Sequence, residues 1–111
     1  MVVNLLVTNY ERGRAKEYRT ISILRRRGAL WVQRSYGSKG IFDVFALFPD
    51  RSVYIQVKSS KTKAVIGEEE VRVLKEFARK ITTPNIHIEI WMYHGRKKPR
   101  IKRLHGNYAT N

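Results

Sequence analysis

The sequence predicts an α/β domain with a mixed central sheet flanked by helices. Three observations lead there. Two stretches, 10–27 and 68–81, repeat apolar residues at helical spacing. Four others, 29–36, 43–48, 52–58 and 86–93, alternate or are rich in β-branched and aromatic residues, as strands are. Their order is helix, three strands, helix, then one or two strands, which suits a sheet covered by helices.

The elements follow in chain order. Residues 2–7 fit either a short strand or an extension of the first helix. Thr8-Asn9-Tyr10-Glu11 has capping-box spacing, with the acid three residues after the cap. From Tyr10 to Arg27, Tyr18, Ile21 and Leu24 share one helical row, and Gly28 is placed to end the helix. ALWVQRSY (29–36) reads as a strand and GSKG (37–40) as a loop. DVFALF (43–48) and residues 52–58 flank Pro49-Asp50-Arg51, a tight turn, so they should pair as an antiparallel hairpin. SSKTKAVIG is a polar connection. EEEVRVLKEFARKI follows as a helix, its leading acids and trailing bases matching the helix dipole. Leu74, Phe77, Ala78 and Ile81 form its expected buried stripe. IHIEIWMY (86–93) alternates as a strand, HGRKKPR turns the chain, and IKRLH (101–105) suits a last edge strand.

The 111 residues suit a single domain spanning 1–111, and 42% hydrophobic content suits a folded one. No apolar run is long enough for a membrane helix, and the N-terminus lacks the basic start and cleavage site of a signal peptide. The absence of cysteine excludes disulfides and thiolate zinc sites, and an intracellular location, cytoplasmic or nucleoid-associated, is expected. Lys and Arg total 23 against 9 acids, a formal net charge of +14. A field that positive seeks a polyanion, with nucleic acid the first candidate. The bases are spread over several elements, which speaks against an amphipathic membrane-surface helix.

Three places set polar groups among buried-looking surroundings. Glu17 shares a helical row with Ile21 and Leu24, so its carboxylate faces the sheet or its edge. Asp43 opens a strand directly after a loop. Gln56 and Lys58, two apart on a strand, project from one face, while Val53, Ile55 and Val57 point to the other. Each has an ordinary reading: a surface pair with Arg14 or Lys16, turn chemistry, and a solvated strand face. Together they have a chemical one. A hairpin with an acid on one strand and a polar-x-Lys on the other can converge on one point that a helix carboxylate also reaches. Such oxygen donors suit a hard divalent cation, with an ammonium beside it to stabilise charge on a phosphate.

Between Arg12 and Lys58 the sequence resembles the archaeal-type Holliday junction resolvases of the PD-(D/E)xK nuclease superfamily. RGRAKE is similar to that family's basic-Gly-x-x-x-Glu at its first helix. VQRSYGSKGIFDV is similar to its V-x-R-S-x-G-S-K stretch and following Asp, and YIQVKSS to its acid-x-Lys strand. The resemblance implies a restriction-endonuclease-like fold and a homodimer cutting paired strands of a four-way junction with magnesium, or manganese in its place. It implies catalytic roles for Glu17, Asp43, Gln56, Lys58 and Ser38, with Asp43, Gln56 and Glu17 as metal ligands and Arg34 at the site or the junction backbone. Gln56 departs from the pattern, because the family carries an acid there. Its amide oxygen can face a metal but brings no charge. Three readings stay open: a working site, a relative that binds junctions without cutting, or a glutamate exchanged to arrest cleavage.

Arg12, Arg14, Lys16, Arg19, Lys39, Lys61 and Lys63 are expected to line the mouth of this site and contact DNA phosphates. HGRKKPRIKR (94–103) offers a further basic arm. Trp31, Trp91, Tyr93 and Tyr108 are expected in the core or a dimer interface. His87, His94 and His105 lack metal-ligand spacing and are read as structural or surface residues. The rival readings are a mismatch or restriction-type nickase and an RNA-binding structural protein.

Overall fold

The computed structural model describes residues 9–35, 40–60 and 67–107, with the side chains of residues 9–12 and of Ser60 outside the described set. The order is α1 (Asn9–Arg26), β1 (Trp31–Arg34), β2 (Val44–Phe48), β3 (Arg51–Ser60), α2 (Glu68–Arg79), β4 (Ile86–His94) and β5 (Arg100–His105). The expected cap at Thr8, residues 2–7, most of the 37–40 loop and Tyr108 lie outside the described residues.

The strands form one five-stranded sheet in the order β1-β2-β3-β4-β5. β1, β2 and β3 pair antiparallel, and Phe48 stands opposite Arg51 across the two-residue Pro49-Asp50 turn. β3 and β4 pair in parallel, Ser52 beside Ile86 through Ser60 beside His94. A parallel pair needs a long crossover, and the segment carrying α2 provides it. β5 returns antiparallel on β4. The sheet is therefore mixed, with both helices packed on it, as the sequence predicts.

Period-two alternation divides the core. Ile21 and Leu24 of α1 bury against Val44, Ala46, Phe48, Val53, Ile55, Val57, Trp91 and Tyr93. Leu74 of α2 buries with Ile90 and Met92. From His87 to Tyr93 every residue of β4 is buried, since both faces of that strand are covered. α1 ends in a Schellman turn: Gly28 takes φ +99°, its N–H bonds the Arg25 carbonyl, and the Ala29 N–H bonds the Leu24 carbonyl.

Three helix-stripe residues are less buried than expected, and one aromatic lies outside the core. Tyr18 is 54% exposed, because it stands at the edge of the α1 stripe, where its ring lies 5.2 Å from the Arg34 guanidinium. Phe77 is 46% exposed: it leans from the edge of the α2 stripe towards Phe42, ring centroids 5.6 Å apart. Ile81 lies beyond the end of α2 and is half-buried. Trp31, expected in the core or an interface, is exposed on β1, whereas Trp91 and Tyr93 are fully buried.

The buried polar groups are mostly paired. The Thr20 hydroxyl donates to the Lys16 carbonyl, so the Tyr93 hydroxyl donates the 2.6 Å bond between them. Glu89 accepts from Trp91 Nε1 at 2.9 Å and Arg103 Nε at 2.7 Å. His87 is buried beside this pair, its Nδ1 3.7 Å from a Glu89 carboxylate oxygen, and among the described residues neither ring nitrogen has a hydrogen-bond partner. Burial and the Arg103 charge hold it below its ordinary pKa. Among the described residues no helix is long and apolar enough to cross a membrane.

Candidate active site

The site forms where the β2–β3 hairpin opens. β2 begins at Val44, paired with Ile55, and Asp43 lies one residue before it. The Asp43 N–H still bonds the Ile55 carbonyl at 2.8 Å. Beyond it the β2 ladder stops, and the next β3 donor on that side, the Val57 N–H, would be left unpaired. The Asp43 carboxylate takes that bond, Oδ2 accepting at 2.8 Å. The aspartate thus completes the ladder with its side chain, which fixes one oxygen of the carboxylate.

β3 delivers the next two groups. Val53, Ile55 and Val57 are buried under α1, so Gln56 and Lys58 project from the opposite face, as the alternation requires. Gln56 is half-buried, and its side chain hydrogen-bonds to no other described residue. It lines a small hollow with Ile41, Glu69, Glu70, Val73 and Leu74. The Lys58 ammonium forms an ion pair with Glu70 of α2.

Glu17 arrives from α1. Its side chain is 15% exposed and pairs with Arg34 Nη1 at 3.3 Å. Burial raises the Glu17 pKa, the nearby Asp43 charge raises it further, and Arg34 and Arg14 oppose the rise. Burial likewise raises the Asp43 pKa, against the Val57 N–H and the Lys58 charge. Asp43 is therefore electrostatically coupled to Glu17 on one side and to Lys58 and Glu70 on the other.

The structure brings Glu17, Arg34, Asp43 and Lys58 into one electrostatic neighbourhood, with Gln56 in the hollow beside it. It places other predicted residues elsewhere. Lys16 Nζ donates to the Gly95 carbonyl at 2.6 Å and Arg19 Nη2 to the Arg96 carbonyl at 3.0 Å, so these two tie α1 to the β4–β5 turn. Burial, and then the Arg19 and Arg96 charges, lower the Lys16 pKa. Arg14 is exposed near Glu17. Arg12 lies on α1, with its side chain outside the described set. Ser38, Lys39, Lys61 and Lys63 lie outside the described residues.

Sequence reasoning missed Glu70, reading it only as an acid suited to a helix start. A signal was available. A helix leaving a parallel strand begins near that strand's C-terminal end. An acid in the first turn of α2 was therefore bound to lie near Lys58.

Among the described residues no three acid or histidine side chains cluster closely enough to hold a metal ion. Magnesium asks for less, since it is commonly held by one or two carboxylates and keeps several waters. Asp43, with one oxygen tied to backbone, the Gln56 amide oxygen and Glu17 are hard oxygen donors of that kind. In chemical type these oxygens suit a magnesium-type ion better than zinc, which favours nitrogen and sulfur ligands.

The family profile described as "Archaeal holliday junction resolvase (hjc)" matches residues 8–98. No curated protein matches the chain. The fold is similar to the 1.6 Å structure of Hjc, a Holliday junction resolvase from the archaeal hyperthermophile Archaeoglobus fulgidus. The TM-score is 0.61 at 21% identity, over 84% of this chain and 73% of that one.

Proposed function

We propose, given that the chain belongs to the archaeal Holliday junction resolvase family, that it is a metal-dependent, structure-selective endonuclease. It resolves four-way DNA junctions by paired hydrolysis of phosphodiesters. The observation that carries this reading is the meeting of Asp43 and Lys58 at the open end of the hairpin, with Glu17 coupled to Asp43.

Asp43, the Gln56 amide oxygen and Glu17 would hold magnesium, or manganese in its place. The ion would supply stabilisation of charge developing on the phosphate and activation of the attacking water. The Val57 N–H orients the Asp43 carboxylate. Arg34 favours the ionised form of Glu17 against burial and the Asp43 charge. Lys58 sets an ammonium beside the scissile phosphate, where it stabilises the negative charge of the transition state. The bases around the site hold the DNA backbone without reading sequence, which suits recognition by branch shape.

The protein acts as a single nuclease-like domain in a homodimer, because a two-fold pair of sites suits a junction of approximate two-fold symmetry. Leu30, Trp31 and Leu47, exposed at the β1 edge of the sheet, offer apolar surface for such a contact.

A second reading is favoured by Gln56, which carries no charge where the family's acid is expected: a relative that binds junctions without cutting. Cleavage of a labelled four-way junction and of a linear duplex, without metal, with magnesium and with manganese, decides between them. The expected outcome is metal-dependent cutting of the junction by the parent and none by Asp43→Ala. Cutting by Gln56→Glu alone selects the binding-only relative. Equal cutting of junction and duplex selects a nickase of the same superfamily.

A further inference from the structure

The amide at position 56 leaves Lys58 without an acidic partner on its own strand. A carboxylate there would share the face of Lys58 two residues away. Lysine carries its charge on a flexible four-carbon stem and goes where an anion holds it. Asp43 is the nearby anion on the hairpin, and an ammonium settled there would neutralise the carboxylate that a divalent cation needs. Among the described residues no ion pair joins Lys58 to Asp43. The ammonium sits instead on Glu70, and Asp43 keeps its bond to the Val57 N–H.

We propose that Glu70 is a positioning residue of this site: from α2 it holds the Lys58 ammonium off Asp43 and supplies the negative charge that β3 lacks at Gln56. This rests on the nuclease reading above. Three features support it. Glu70 and Gln56 line the same hollow, so a carboxylate on the helix faces the same space as one at 56 would. Glu70 occupies the first turn of α2, whose N–H groups favour an anion. Asp43 feels the opposing charges of both Lys58 and Glu70, so both members of the ion pair lie within electrostatic reach of it.

The test uses the whole chain with Glu70→Gln, Gln56→Glu, the double variant and Glu76→Gln. The last removes a charge from the same helix, where Glu76 pairs only with Arg79 among the described residues. Glu70→Gln is expected to lower kcat for junction cleavage by about 10-fold to 100-fold, the usual effect of losing a group that orients the residues around a metal. KM, junction binding in EDTA and the melting temperature stay as in the parent. Manganese binding to the DNA-free protein, read by calorimetry, weakens as Lys58 moves onto Asp43. Glu76→Gln behaves as the parent. Adding Gln56→Glu to Glu70→Gln restores both cutting and manganese binding, because the charge returns to the same face. The inference is overturned if Glu70→Gln cuts and binds manganese like the parent, or if the double variant stays as impaired as the single one. A parent that cuts no junction overturns the nuclease reading itself, and this inference with it.

Discussion

At Asp43 two demands oppose each other. Burial raises its carboxyl pKa and the Glu70 charge adds to the rise, while the Val57 N–H and the Lys58 charge work against it. The folded chain therefore binds this proton more tightly than the unfolded one. The resulting stabilisation is full below the ordinary aspartate range and is lost as pH rises through the folded value. At neutral pH the ionised carboxylate works against folding, and Glu17 behaves alike. Asp43→Asn keeps an oxygen for the Val57 N–H and removes the charge. In EDTA at pH 7 it should raise the melting temperature by about 2–4 °C, and with magnesium present it should abolish cleavage. Thermal melts between pH 7 and 4 check this: the gap between variant and parent should narrow on acidification, and a widening gap would refute the account.

Elements obey the same economy of satisfied groups. α1 stops because Gly28 can adopt a positive φ, which lets two N–H groups cap the last carbonyls. Gly28→Ala should cost about 1–2 kcal/mol, the penalty of a left-handed conformation with a Cβ, read as a shifted urea midpoint. Among the described residues no atom beyond the two chain neighbours stands within 4 Å of that added Cβ, so the loss is one of backbone conformation and not of packing. Gly106 differs. A Cβ there would meet the His87 ring at 2.3 Å, on top of its own positive φ.

Most of this layer was legible in the sequence. Helical rows, the Pro49-Asp50 turn and strand alternation gave every element within a few residues, along with the opposite faces of Val57 and Lys58. Periodicity could not show lateral order. Nothing in IHIEIWMY announces a parallel partner, or that Glu89 is a buried acid answered by Arg103 from β5. Tyr18 and Phe77 were misplaced because a helical stripe has edges, and spacing alone does not say which neighbour covers them. That Asp43, Lys58 and Glu17 come near one another was readable. Glu70 carried no local pattern of its own; only the strand–helix–strand order points the first turn of α2 back towards Lys58.

For the whole molecule, charge sets the behaviour towards DNA. A net charge of +14 on 111 residues predicts binding dominated by release of counterions. If about six phosphates are contacted, junction affinity should fall by about 10³-fold between about 50 and 200 mM salt. A titration series in which log affinity barely moves with log salt would contradict this. Part of the charge serves the fold instead. Lys16 and Arg19 hold the β4–β5 turn to α1 through the Gly95 and Arg96 carbonyls. The slope should therefore report fewer phosphates than the net charge suggests.

The hairpin has a closed end as well as an open one. Asp50 sits in its two-residue turn with a side chain 74% exposed, paired only with its neighbour Arg51 among the described residues. From Arg51 to Lys58 is seven steps along an extended strand, which separates the turn from the chemistry by about 20 Å. The chain has no cysteine. A single Asp50→Cys would therefore carry one fluorophore per chain at one known place in a tight turn, away from the chemistry and able to report DNA arriving.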